Sequence, residues 1–354
     1  MTIQASLGRL STWSEQPCVS VYLPVVRGES ANTVATSLHS AARDAERSLI
    51  RQFRLNERDA AAVVAPLRDL ADRRVEVGAM PTVGLFCRGG EVEHCAVPRH
   101  FDGPFVSVMR QPNVLAMLAG AQRDIDHAVL GLNRKHTRAL RGGAFAHEVL
   151  DVHLPTEGDL AVSHQRGLAH HGGRKGAGAV VGGSGSNEHL DDALLAAFMR
   201  EIDRSLFQKL DSRDLPVVVV GVEYEVSAFK AVSTQRNLLL HACGSTERMS
   251  DAELHAAGQH RMWQYADQRV QSALDRLRDL GGTPRVQAGP KVVQTDANKG
   301  RVDTLYVPER LVAATDDDES AAAAEASLAT LRHRGIVWIA PNQDLACTTA
   351  LLRF

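Results

Sequence analysis

The sequence predicts an α/β protein of three domains, at 1–120, 121–249 and 250–354. Three observations predict it. Short β-branched runs alternate with helical periodicities along the chain, the pattern of sheets covered by helices. The length of 354 residues exceeds what one domain of roughly 100–200 residues fills. Composition also changes abruptly at 167–188, where eight glycines gather and split the chain's ordered patterning.

Residues 18–23 (CVSVYL) are apolar and β-branched and are stopped by Pro24, which predicts a strand. Leu38, Ala41, Ala45, Leu49 and Phe53 then recur three or four apart, one apolar face of a helix. A second helix is expected over 57–74, with Pro66 as a potential kink. Apolar runs over 81–97 flank Gly89-Gly90, a hairpin signal. No catalytic constellation stands out in this first third.

The second domain opens with DHAVLGLNRKHTRALRGG, read as strand, basic turn, strand. A further strand is expected at 148–154 (EVLDVHL), ended by Pro155. After the glycine-rich stretch a helix is expected over 188–210. Asn187 would be its N-cap, and Leu190, Leu194, Phe198, Ile202 and Leu206 its buried stripe. PVVVVGVEY (216–224) reads as a strand covered on both faces, SAFKAVS as a short helix and RNLLLHACG as a closing strand. The third domain starts with a long helix over 251–280, stopped by Gly281-Gly282. Helical PKVVQTDANKGR, strand VDTLYV, helix SAAAAEASLATLRHR, strand IVWIA and strand TTALLRF follow. The acidic run 316–319 reads as a solvated helix start.

Forty basic and forty-two acidic side chains give a formal net charge of −2. Bulk coating of nucleic acid is thereby excluded, so a polyanion site has to be local. The apolar run at 216–222 is too short to span a bilayer, which needs about 20 residues. The N-terminal stretch lacks the pattern of a secretory signal. The five cysteines (18, 87, 95, 243 and 347) form no C-x-x-C pair and are expected to be small buried apolar residues in a reducing cytoplasm.

Local charge is found at 163–187, which holds no carboxylate and carries Arg166, Arg174 and Lys175 among its glycines and His164, His170 and His171. Glycine loses more backbone entropy on folding than any other residue, so a pliant loop is expected at 164–187. Its cations suit phosphate, and bare glycine amides can approach a phosphate or ester closely. GGRKGAG lacks the Gly-Lys-Ser/Thr ending of a P-loop, and the stretch is too long and loose for a dinucleotide fingerprint. His164, His170, His171 and His189 have no carboxylate among them before Glu188, so neither a metal nor a cofactor is expected. His94, His127 and His241 read as structural.

The order of these parts resembles the bacterial archaeo-eukaryotic release factor family, which is release-factor- and Pelota-like and to which the hibernation factor Balon is related. DHAVLGLNRKHTRALRGG, the loop around HHGGRKGAG, the helix 188–210 and PVVVVGVEY stand in the order of that family's central domain. The long helix, KGRVDTLYVPE, IVWIA and TTALLRF are similar to its third domain, and PCVSVYLP to the first domain of the bacterial branch. The resemblance implies an RNase H-like central domain and a third domain built as an α/β/α sandwich. It further implies a cytoplasmic translation factor that binds the ribosomal A site in hibernation or rescue, with the ribosome and a translational GTPase as partners and no membrane. The family's Gly-Gly-Gln tip, which positions water against the peptidyl-tRNA ester, is absent. Gly172-Gly173 is followed here by Arg174. Efficient hydrolysis is therefore not expected and no catalytic residue is assigned. The RNA-binding set is Arg166, His170, His171, Gly172, Gly173, Arg174 and Lys175. Two alternatives are a hydrolase of peptidyl-tRNA or RNA working through the loop histidines and arginines, and a protein-docking stress adaptor.

Overall fold

The computed structural model describes residues 3–13, 16–25, 30–73, 81–156, 184–210, 212–314 and 317–354. It is an α/β protein, as the sequence predicts, with three sheets among the described residues. The chain gathers into two compact units, one formed by 1–124 with 266–354 and the other by 125–265.

The first unit opens with α1 (Ile3–Leu10), β1 (Cys18–Pro24), α2 (Ala31–Phe53) and α3 (Glu57–Asp72). The hairpin β2 (Thr82–Arg88) and β3 (Glu91–Val97) follows, then β4 (Phe105–Met109) and α4 (Leu115–Arg123). The sheet order is β3-β2-β1-β4, antiparallel throughout. Both hairpin glycines sit at positive φ, 53° and 89°, which L side chains rarely adopt. The α2 stripe is buried as spaced, with Leu38, Ala41, Ala45 and Leu49 inside. Helix α3 runs through Pro66.

The second unit contains β5 (His127–Gly131), β6 (Arg138–Gly142), β7 (His147–Val149), α5 (Ser184–Lys209), β8 (Val217–Gly221), α6 (Glu223–Val232) and β9 (Leu238–Ala242). Its sheet order is β7-β6-β5-β8-β9. Strands β5, β8 and β9 are parallel, and β6 is antiparallel to its neighbours. Val217, Val218, Val219 and Val220 are fully buried between two layers of side chains. Each contributes about 1.5–3 kcal/mol of burial. Helix α7 (Asp251–Asp279) begins in this unit. Its Gly258 lies so close to β5 that a Cβ there would stand 2.5 Å from Val129 Cγ2.

The first unit resumes within α7 and adds β10 (Val286–Ala288), α8 (Pro290–Asn298), β11 (Val302–Pro308), α9 (Asp318–Arg332), β12 (Ile336–Ala340) and β13 (Thr349–Leu352). The sheet order is β10-β13-β11-β12, with β11 and β12 parallel. Gln122 at the end of α4 clasps the edge strand β12. Its Nε2 donates to the Ile339 carbonyl (3.0 Å), and its Oε1 accepts from the Ile339 amide (2.9 Å). One side-chain amide thus replaces a peptide unit of a missing neighbour strand, which closes part of the edge.

Several expectations are corrected. The strand expected over 148–154 ends at Val149. Beyond it Leu150 still donates to Ala139 O (2.9 Å), but Leu150, Val152 and Leu154 pack into the core as irregular chain. The strand expected through 224 stops at Gly221, because Glu223 and Glu225 open α6, where the helix dipole favours carboxylates. Helix α5 starts at Ser184, so Asn187 lies inside it and 184–187 of the expected loop are helical. Its buried face holds Leu195, Phe198, Met199, Ile202 and Leu206, with Leu194 only partly buried. Cys18, Cys87 and Cys95 are buried, whereas Cys243 is exposed. Burial pushes the Cys87 and Cys95 thiols up to about 12.

Candidate functional site

Connectivity brings both ends of the glycine-rich stretch to one edge of the second unit. Strand β7 runs antiparallel to β6, which runs antiparallel to β5, so β7 and β5 point the same way. The chain then continues along β6 to Leu154, buried in the core, and through Thr156. It re-enters as α5, whose far end feeds the start of β8. The first turns of α5 therefore lie at the edge where β5, β8 and β9 finish. The Tyr224 hydroxyl donates to Asp192 on α5 (2.9 Å), which fixes that placement. In open α/β sheets this carboxyl edge is where ligands bind.

The β5–β6 turn lies at the same edge. Asn133 builds it, its Oδ1 accepting from the amides of Lys135 (2.9 Å) and His136 (3.2 Å). The turn's cations meet carboxylates of the same unit, Arg134 with Glu225 (3.6 Å) and Lys135 with Glu247 (3.6 Å). Arg134 also covers the Tyr224 ring at 5.9 Å. Arg138 on β6 is a structural cation. It donates to Asp251 (2.8 Å), to Thr246 O (3.3 Å) and to Met249 O, tying the start of α7 to the sheet.

A second cluster occupies the opposite, amino edge. His127 is the first residue of β5, fully buried, and its Nδ1 donates to Ile125 O (2.8 Å). The His255 ring of α7 stacks on it at 6.0 Å, and the His147 ring of β7 stacks on His255 at 4.5 Å. His255 Nε2 donates to Gly143 O (3.0 Å), which sets its tautomer, because a carbonyl only accepts. Burial, and next the neighbouring His147 and His127, hold His255 below the usual imidazole range, against the raising effect of the Gly143 bond. Gln259, one turn on, satisfies its amide by donating to the same Gly143 carbonyl (3.0 Å) while accepting from Trp263 Nε1–H (2.9 Å).

The sequence-predicted set Arg166, His170, His171, Gly172, Gly173, Arg174 and Lys175 lies outside the described residues, as do His164 and residues 164–183 of the predicted loop. The histidine column was not legible as a group. His127 was read alone and as structural, and its buried, hydrogen-bonded ring fits that reading. The available signal was His255 and Gln259 four apart, on one face of a helix. Among the described residues, no three His, Cys, Asp or Glu side chains are arranged to hold a metal ion. Among them, too, no helix is long and apolar enough to cross a membrane.

The sequence profile described as bacterial archaeo-eukaryotic release factor family 3 matches residues 126–301. Comparison with curated proteins finds no match. Among solved structures, ribosome-bound archaeal Pelota with ABCE1 is 12% identical, covering 100% of this chain and 94% of that one, at a TM-score of 0.41. Archaeoglobus fulgidus Pelota is 12% identical over 100% and 92%, at 0.37. The archaeal translation termination factor aRF1 is 14% identical over 99% and 97%, at 0.26. The stretch 126–301 is thus that of a release-factor- and Pelota-like protein, matching bacterial archaeo-eukaryotic release factor family 3.

Proposed function

We propose that the protein is a ribosome-binding factor that occupies the tRNA path at the A site, in hibernation or rescue, and presents its glycine-rich stretch toward RNA. The observation that carries this reading is the family match over 126–301, which encloses a carboxylate-free, glycine-rich segment of +3 charge. The described ends of that segment support the reading, because they lie at the carboxyl edge of the parallel strands β5, β8 and β9. Arg166, Arg174 and Lys175 supply the cations for phosphate, Gly172 and Gly173 allow close approach, and His170 and His171 stack on or hydrogen-bond to nucleotides. Peptidyl-tRNA hydrolysis is not part of the proposal, since Arg174 stands where the family's tip has glutamine. A translational GTPase is the proposed protein partner.

Co-sedimentation with ribosomes across a salt series tests the reading. Binding is expected to weaken steeply with salt. The double substitution Arg174→Ala/Lys175→Ala is expected to flatten the slope of log K against log salt by roughly 1.4–1.8. Unchanged binding by that variant removes the loop's role. Release of labelled peptide from peptidyl-tRNA would favour the hydrolase alternative.

A further inference from the structure

We propose that the exposed faces of His147 and Trp263, at the amino edge of the second unit, form a stacking platform for an unpaired RNA base. The proposal rests on the RNA-partner reading above and adds a second contact, at the edge opposite the described ends of the glycine-rich stretch.

The argument starts from the column of three imidazoles. His127 is fully buried, His255 is 8% exposed and His147 is exposed. The rings are near parallel, with interplanar angles of 20° and 28°. The column therefore runs from the core to solvent, and its last ring, stacked on His255, belongs to an exposed residue. A planar ring is the natural next member of such a stack. Trp263 is 41% exposed, unusual for a large aromatic side chain, and it is not loose. Its indole N–H is held by Gln259, which shares the Gly143 carbonyl with His255. Phe145, 37% exposed, lies on the same β6–β7 turn, between Gly143 and His147. His147, through His255, and Trp263, through Gln259, are thus tied to a single carbonyl.

What these rings leave for a ligand is chemically specific. The inward polar atoms of His255, Gln259 and Trp263 are already bonded to one another or to Gly143. The faces are left to recognise, and a π-face reads a flat ring and tolerates any base. The rings are also fixed before binding, so little rotamer entropy is lost on contact.

The test uses the full chain and fluorescently labelled oligoadenylate eight nucleotides long. Trp13 is buried and Trp338 half-buried, so quenching of intrinsic fluorescence reports chiefly on Trp263. Saturable quenching is expected, with adenylate ahead of uridylate because it stacks more strongly. By anisotropy, His147→Ala and Trp263→Leu are each expected to weaken binding about tenfold. His147→Phe, which keeps a ring and so controls for folding, is expected to stay within about twofold of the parent. Absence of oligonucleotide binding overturns the proposal. So does affinity indifferent to all three substitutions, or quenching by peptides alone. These outcomes are separable from the reading above: lost ribosome co-sedimentation with intact ring-dependent anisotropy defeats that reading and leaves the platform standing.

Discussion

Gly258 offers a test of how the second unit is packed. A Cβ at this position would stand 2.5 and 2.9 Å from the two methyl carbons of Val129, far inside the roughly 3.5–4.0 Å optimum. Val129 is fully buried on β5, and its β-branched side chain has few rotamers into which to retreat. On a free helical surface, Gly→Ala stabilises by about 0.8–1.0 kcal/mol. Here overpacking opposes it with about 2–3 kcal/mol, the upper part of the usual range, because the neighbour is stiff. Gly258→Ala is therefore expected to destabilise by about 1–2 kcal/mol, read as a lower urea midpoint at unchanged m. Val129→Ala alone should cost about 2 kcal/mol through lost burial and a cavity. Combined, the two should cost less than their sum by at least about 1 kcal/mol, since each relieves the other. An unchanged or raised midpoint for Gly258→Ala, together with additivity in the cycle, would refute the close approach. It would also loosen the placement of His255 against His127.

Other expectations concern single contacts. Gln122→Leu removes both bonds to the Ile339 backbone and should cost about 1–3 kcal/mol in urea unfolding, because the strand's polar groups lose their partner. His255 has its proton affinity lowered by folding, so the unfolded chain protonates first as pH falls. Its contribution is full above the ordinary imidazole value of about 6.5 and is lost as pH drops below it toward the folded-state value. Urea midpoints between pH 8 and 5 should therefore fall on acidification, and His255→Gln should flatten that fall. Arg138→Ala should lower the melting temperature while leaving the salt slope of ribosome binding untouched, because its donors are committed to Asp251 and two backbone carbonyls.

Local periodicity carried much of the fold. The α2 stripe, the Gly89-Gly90 hairpin and the four-valine strand are each set by side chains within a few positions, and the structure has them where spacing places them. Misplaced boundaries came where tertiary contacts compete with propensity. Leu150, Val152 and Leu154 alternate like a strand, yet they fill a core as irregular chain. Val222 and Tyr224 look like strand residues, but two flanking glutamates start a helix. Strand β4 and helix α4 were not predicted; the first six residues of α4 are all buried, so no polar face marks its period. The histidine column was hidden for a different reason. Its members are 20 and 108 residues apart and meet only through strand register and the packing of α7 on the sheet, which local spacing cannot show.

Charge placement decides which part of the second unit can hold a polyanion. At the carboxyl edge the turn cations Arg134 and Lys135 each face a glutamate, and Asp192 adds a further carboxylate. At the opposite, amino edge Arg141 on β6 is likewise matched by Asp126 at 2.9 Å. The described part of the carboxyl edge is thus locally balanced and by itself gives RNA little attraction. Exposed pairs of this kind contribute only about 0–1 kcal/mol each, so phosphate can displace them, but at the cost of freeing carboxylates nearby. Further positive charge enters with 163–187, which carries Arg166, Arg174 and Lys175 and no acid. Attraction and close approach are therefore concentrated in the same glycine-rich segment, while the acid-lined edge disfavours phosphate settling on the globule itself. Such an arrangement favours RNA contact at the segment over contact along the sheet edge, which makes the salt slope, rather than bare affinity, the quantity that identifies the contact.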